Sequence, residues 1–292
     1  MDHVRTEQPM RRVQWSLALA LILSTLGCGG NDPAAVPDTS PTTGATQATG
    51  ELVDIGNRSL FVTCQNDEAT GGTIVLEAGL TGDSRTWTLV VKGLQTDMRV
   101  CTYDRANTGQ SEPAPKPRSA QDVVDDLEAL LEAVEAKPPY VLVGFSMGGI
   151  FTQLYAAEHS ADIGGLVLVE SNHYDEQRQI EQHLTPAQIA LDREFMESNP
   201  EGIDIMASFA QVKKAGPLPE VPLVVVTATV SGNWPSEWGD PAIFDKLREE
   251  QQADLAASVP GGKQIFAESG HEVPGERSDV VLDAINQVLD QL

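Results

Sequence analysis

The chain has 292 residues, 41% hydrophobic and 21% charged, with 43 acidic side chains against 19 Lys and Arg and a formal net charge of −24. That length and apolar content suffice for one sizeable core and exclude a collagen, a coiled coil, a disulfide-dense miniprotein and a wholly disordered chain. A surface this acidic repels phosphate backbones, which sets nucleic-acid binding aside, and it disfavours anionic substrates at long range.

Residues 1–27 differ from the rest of the chain. Arg5, Arg11 and Arg12 precede an apolar run from Trp15 to Leu26, which ends at Gly27 and Cys28. A basic start, about a dozen apolar residues and a small residue before the cut make a secretory signal, and the run falls short of the roughly 20 residues a membrane span needs. Ser24-Thr25-Leu26-Gly27-Cys28 resembles a bacterial lipoprotein lipobox, with Thr25 where Leu is usual. The resemblance implies that Cys28 is lipidated and that acyl chains hold the protein at the membrane of a bacterial cell envelope, each buried CH₂ contributing about 0.8 kcal/mol. A generic export signal giving a secreted or periplasmic protein is the alternative. Residues 28–50 are rich in Pro, Thr, Gly and Ala, which bury too little surface to offset chain entropy, so a flexible tether is expected there.

From residue 51 to the end the pattern is periodic. Two short strands, Glu51–Ile55 and Ser59–Thr63, flank Gly56-Asn57, a hairpin signal. Further strands are predicted over Thr73–Glu77, Arg99–Tyr103, Tyr140–Gly144, Gly165–Val169, Leu223–Thr227 and Lys263–Phe266. Several are unbroken runs of Val, Leu and Ile, as in strands buried on both faces of a parallel sheet. Helices are predicted over 85–95, Ala120–Ala136, Met147–Glu158, Pro241–Ala257 and Asp279–Leu292. Of these, Ala120–Ala136 carries an apolar stripe through Val123, Leu127, Leu130 and Val134. The alternation implies an α/β domain, its sheet covered by helices on both faces. Residues 172–218 break the rhythm; with helical pieces at Pro186–Glu197 and Ile203–Lys214, they read as a small lid over the strand ends.

The most informative stretch runs from Tyr140 to Gly149, YVLVGFSMGG, an apolar strand passing through G-x-S-x-G directly into a helix. Gly144 and Gly148 leave room for a sharp turn that exposes the Ser146 hydroxyl, and the helix N-terminus favours negative charge developing beside it. Four segments, LEAGL (76–80), YDRANTGQS (103–111), GFSMGG (144–149) and SGHEVP (269–274), together resemble the α/β-hydrolase superfamily, and the resemblance covers residues 51–292. It implies an eight-stranded, mostly parallel sheet with the second strand antiparallel, Ser146 as nucleophile and His271 as base. His271 also falls in a loop after the last strand, where catalytic groups of open α/β sheets gather.

The acid has two candidates. The family's commoner position, after the seventh strand, reads LVVVTATVSGNW and holds no carboxylate near Ser231; Glu237 and Asp240 lie further on. Some members carry the acid at the end of the sixth strand, where Glu170 closes GLVLVE. A carboxylate ending such a run is costly to desolvate unless a partner such as a histidine N–H receives it. Glu170 is therefore the first choice and Asp240 the alternative. The resemblance further implies an oxyanion hole from the Met147 and Leu80 amides. By family topology Cys64 and Cys101 fall on neighbouring strands, where a disulfide is geometrically possible and permitted outside the cytoplasm; two separate thiols are the alternative. No Cys/His cluster has metal-ligand spacing and no Gly-rich phosphate loop appears, so neither metal nor cofactor is expected. The reading is a serine hydrolase acting on a small-molecule acyl ester, with thioesterase, C–C hydrolase, perhydrolase or a non-catalytic envelope binding protein as alternatives. Leu184, Ile189, Phe195, Ile205 and Phe209 in the lid suit a partly apolar acyl group. Oligomeric state is left open.

Overall fold

Eight strands form one sheet in the computed structural model, which describes residues 50–232 and 234–292. They are β1 (Glu51–Asp54), β2 (Ser59–Gln65), β3 (Thr73–Glu77), β4 (Arg99–Tyr103), β5 (Tyr140–Phe145), β6 (Ile163–Val169), β7 (Leu223–Ala228) and β8 (Lys263–Ala267). Their spatial order is β1-β2-β4-β3-β5-β6-β7-β8; β2 runs antiparallel to both neighbours, and every pair from β4 through β8 is parallel. The proposed signal 1–27, Cys28 and the tether up to residue 49 lie outside the described residues. No helix among the described residues is long and apolar enough to cross a membrane.

The unbroken aliphatic strands divide between two cores because successive side chains point to opposite faces. Leu142 of β5, Leu166 and Leu168 of β6 and Val225 of β7 meet α2 (Ala120–Ala133) and α3 (Met147–Glu158) on one face. Val141, Val143, Val167, Val169, Val224 and Val226 meet α9 (Ser278–Leu289) on the other, together with Val90 of α1 (Thr88–Gly93). Each such fully buried Val or Leu contributes roughly 1.5–3 kcal/mol.

Helix α2 stops three residues before the predicted end: Glu135 adopts φ 54°, and Pro138 and Pro139, beyond Ala136 and Lys137, cannot resume a helical hydrogen-bond ladder. Between β6 and β7 lie α4 (Glu176–Ile180), α5 (Pro186–Glu197) and α6 (Ile205–Ala215). Helix α6 starts later than predicted because Ile203 bridges to Arg118 and Asp204 caps the first turn, accepting from the Ala207 amide at 2.9 Å. It packs against α2 and α3, whereas α4 packs against α7 (Pro241–Ala257). The inserted segment is thus divided, its first part against α7 and its last part against α2 and α3. Helix α4 and the single turn α8 (Val273–Glu276) are too short to show a period in sequence.

One buried guanidinium ties the insertion to the sheet. Arg105 lies just past β4 and donates to Glu77 at the end of β3 (2.5 Å), to Glu201 (2.6 and 3.0 Å), and to the carbonyls of Ala78 and Gly79 (both 2.7 Å). Glu201 also accepts from the Thr81 amide at 2.9 Å, and Tyr103 donates its hydroxyl to Glu77. Burial alone would lower the basicity of Arg105, but Glu201 and Glu77 raise it above its ordinary value, so it is charged in the fold. The loop Ala78–Thr81 is fixed at its carbonyls by Arg105 and at an amide by Glu201. On the neighbouring strand pair Cys64 of β2 faces Cys101 of β4, and a disulfide joins them with Cα atoms 4.2 Å apart.

Arg105→Ala leaves two carboxylates buried without their cation, and a loss of about 3–5 kcal/mol in denaturant unfolding is expected. Glu201→Gln in the same protein is expected to couple to it by at least about 1 kcal/mol in a double-mutant cycle. Replacing Cys64 and Cys101 together by Ala releases a loop of 37 residues' separation. A loss of about 2–4 kcal/mol is expected, read as a lower unfolding midpoint with the sheet retained.

Candidate active site

Strand β5 ends at Phe145 and α3 begins at Met147, leaving Ser146 alone to make the turn with φ 53° and ψ −123°. A residue with a side chain held there costs of order 1–3 kcal/mol, so the surroundings must impose it. They do: the Ser146 amide donates to the Val169 carbonyl (3.0 Å), and the Ser146 carbonyl accepts from Gly149 (2.9 Å) and Asn172 (3.1 Å). A Cβ at Gly144 would lie 2.4 Å from Thr152 Oγ1, and one at Gly148 would lie 2.4 and 2.5 Å from the Ala78 and Glu77 carbonyl oxygens. The two glycines of G-x-S-x-G are therefore steric requirements, and they bring the start of α3 against the end of β3.

Beyond β8 the chain folds back over the end of β7, where the Val230 amide donates to the Ser269 carbonyl at 3.0 Å. Gly270 donates its amide to Glu276 of α8 at 2.9 Å, which pins the turn around His271. The imidazole lies beside Phe145, ring centroids 5.0 Å apart, with Nε2 3.0 Å from Ser146 Oγ. Its Nδ1 faces Glu170, 3.5 Å from Oε2. Glu170 sits at the end of β6 with φ 44° and a side chain 1% exposed. Its Oε1 accepts from the Ala228 amide at 2.6 Å, and Oε2 is 3.5 Å from Arg248 Nη1. Serine, imidazole and carboxylate thus lie in succession, the first pair hydrogen-bonded and the second in ion-pair range, each after the end of a different strand.

Leu80 and Met147 lie on the loop after β3 and at the first position of α3, and neither amide donates to a protein acceptor among the described residues. The two segments touch: a Cβ built on Gly79 would be 3.3 Å from Ser146 Cβ. Arg105 and Glu201 hold this loop, and sequence reasoning gives neither a role, although Arg105 stands inside the YDRANTGQS segment. Its signal is a charged residue shortly after the buried strand RVCTY.

Asp240, the alternative acid, does other work. It caps α7, accepting from the Ala242 amide at 3.0 Å, and neither it nor Glu237 lines the cleft around His271. The apolar lid residues are also placed elsewhere. Leu184 packs with Ile180 and Phe244, Phe209 joins the core under α2 and α3, and Phe195 is 79% exposed. The structure therefore corrects both expectations. A cleft of about 730 Å³ opens at Ser146 and His271 and is lined instead by Asn172, Glu176 and Ile180 on one side and by Trp234, Phe244, Arg248 and Gln252 on the other. Burial raises the Glu176 carboxyl above the usual range even though Asn172 donates to it at 2.7 Å. Sequence reasoning misses the α7 residues of this wall; Arg248 and Gln252, one turn apart on the same helix face, are the available signal.

A family model described as alpha/beta hydrolase fold matches residues 72–231. The chain is 38% identical over 110 residues to the uncharacterized protein YqjL of Bacillus subtilis (strain 168), covering 38% of this chain and 44% of that one. It is 34% identical over 111 residues to a putative carbamate hydrolase, RutD, of Yersinia enterocolitica, covering 38% and 39%. It thus spans less than half the length of these curated relatives. Among solved structures, the enol-lactonase from Burkholderia xenovorans LB400 superposes with a TM-score of 0.58 at 19% identity, over 83% of this chain and 100% of that one. The eight-stranded sheet, the strand–serine–helix turn and the matched family model agree: the chain belongs to the α/β-hydrolase fold family.

Proposed function

We propose that the protein is a serine hydrolase that cleaves an ester or related acyl bond through an acyl-enzyme, and that it works tethered at the cell envelope through Cys28. The observation that carries the reaction is the contact of Ser146 Oγ with His271 Nε2 at 3.0 Å, with Glu170 facing the other ring nitrogen. As Oγ attacks the substrate carbonyl, His271 Nε2 takes its proton and Glu170 stabilises the imidazolium. The oxyanion is received by the Met147 and Leu80 amides, positioned before reaction begins. The C–O bond to the leaving group breaks, His271 returns the proton to that oxygen, and water activated by the same imidazole then releases the acyl group and regenerates Ser146. A serine at this turn argues against the relatives that attack through an aspartate. Anchoring rests on the lipobox-like run before Cys28.

Ser146→Ala is expected to abolish labelling by a fluorophosphonate probe and to reduce ester hydrolysis by at least about 10⁴-fold. Equal labelling of the two proteins would overturn the assignment. Glu170→Gln is expected to lower kcat roughly 10³- to 10⁴-fold, because the imidazole loses its orienting anion. Asp240→Asn, by contrast, should change kcat/KM by no more than about twofold, as for a surface cap. For the anchor, Cys28→Ser is expected to move the protein from the membrane pellet to the soluble fraction after cell disruption, and unchanged partitioning would count against lipidation.

A further inference from the structure

Buried polar atoms with no protein partner are costly, about 1–3 kcal/mol each, and are few in a native fold. Three of those among the described residues, Arg248 Nε, Gln252 Oε1 and Ser269 Oγ, belong to side chains whose residues line a cleft that opens at Ser146. Gln252 is 2% and Ser269 3% exposed. The neighbouring atoms of these side chains are occupied. Gln252 Nε2 donates to the Ser171 carbonyl at 2.6 Å, which leaves Oε1 as an acceptor. Arg248 Nη2 donates to the Ala228 and Val230 carbonyls at 3.3 and 3.2 Å, which leaves Nε–H as a donor. The residues that form the wall therefore hold one unpaired donor, one unpaired acceptor and one hydroxyl that can be either.

Charge narrows what can meet them. Glu170, Glu176, Glu268, Glu272 and Glu276 line the same cleft. The Arg248 guanidinium already faces Glu170 at 3.5 Å and Asp245 at 3.8 Å. A carboxylate or phosphate entering here would meet several negative charges and a cation already neutralised. A purely alkyl group would leave all three polar atoms unmatched. An uncharged group carrying a carbonyl acceptor and an N–H donor side by side, a secondary amide, matches the set.

We infer that the substrate carries an uncharged amide within a few atoms of its scissile carbonyl, bound by Arg248, Gln252 and Ser269. This deepens the acyl-transfer reading and rests on it. Sites built to hydrogen-bond a substrate discriminate against analogues lacking the group more strongly than apolar pockets discriminate by size.

The test compares pairs matched in chain length. Methyl N-acetylglycinate is set against methyl pentanoate, which differ on the acyl side, and 2-acetamidoethyl acetate against pentyl acetate, which differ on the alcohol side. Monomethyl succinate supplies the anionic case. In one pair at least, the amide is expected to be preferred about tenfold or more in kcat/KM, with monomethyl succinate poorer than methyl pentanoate. Gln252→Leu and Ser269→Ala should each bring that ratio towards one, and the smaller serine change guards against a folding defect in the first. Ester hydrolysis without amide preference in either pair, or a preference undiminished in both variants, overturns the inference and leaves the serine hydrolase intact. If no ester is turned over and no probe labels Ser146, the reaction reading falls instead. The amide site is then judged by calorimetric titration of the Ser146→Ala protein with the same esters, where equal binding of the matched pairs would overturn it too.

Discussion

A single buried cation holds this molecule's working parts in register. Arg105 reaches the end of β3, the loop beyond it and the inserted segment between β6 and β7, the last of them 96 residues away in sequence. Without charge compensation a guanidinium could not be buried, and without the guanidinium Glu77 and Glu201 could not be buried beside it. The three groups therefore assemble together or not at all. Their hydrogen bonds fall on backbone atoms of Ala78, Gly79 and Thr81, so the same cluster that closes the fold also sets the position of the amide proposed to meet the oxyanion.

The proposed chemistry is mounted on strand ends. Ser146, Glu170 and His271 come after β5, β6 and β8, and the first two occupy positive-φ turns fixed by backbone bonds to the neighbouring strand. Glu170 reaches its place because its amide donates to Val226 and its carboxylate accepts from Ala228, both on β7. Such support keeps the reacting groups oriented before a substrate arrives, and it places the strain where sheet and helices over-determine the backbone.

What the sequence makes legible is local. Tyr140–Gly149 announces strand, serine and helix through a pattern of ten consecutive residues, and Glu170 is preferred because a carboxylate closing GLVLV must have a partner. Met147–Glu158, Pro186–Glu197 and Pro241–Ala257 are legible with their observed bounds, two of them helped by proline at the first helical position. What stays illegible is long-range. Glu201 has no periodic context, and only the folded chain brings it to Arg105. Phe195 and Phe209 look alike in sequence, yet one faces solvent and the other enters a core, because that choice depends on how α5 and α6 pack. The cleft wall from α7 is hidden for the same reason: Arg248 and Gln252 read as an ordinary solvated helix face until α7 packs on the ends of β6 and β7, where they meet the carbonyls of Ala228, Val230 and Ser171.

Seating the proposed acid at the end of β6 has a consequence for how such a hydrolase diversifies. The stretch Val230–Gly232 and Trp234, where the family resemblance puts the commoner acid, holds no carboxylate yet borders the cleft at Ser146. Mutational drift in that segment can remodel what is admitted while the proton-handling apparatus stays untouched. Part of the cavity's shape is thereby carried by a stretch apart from the proposed reacting groups, free to change at its own rate.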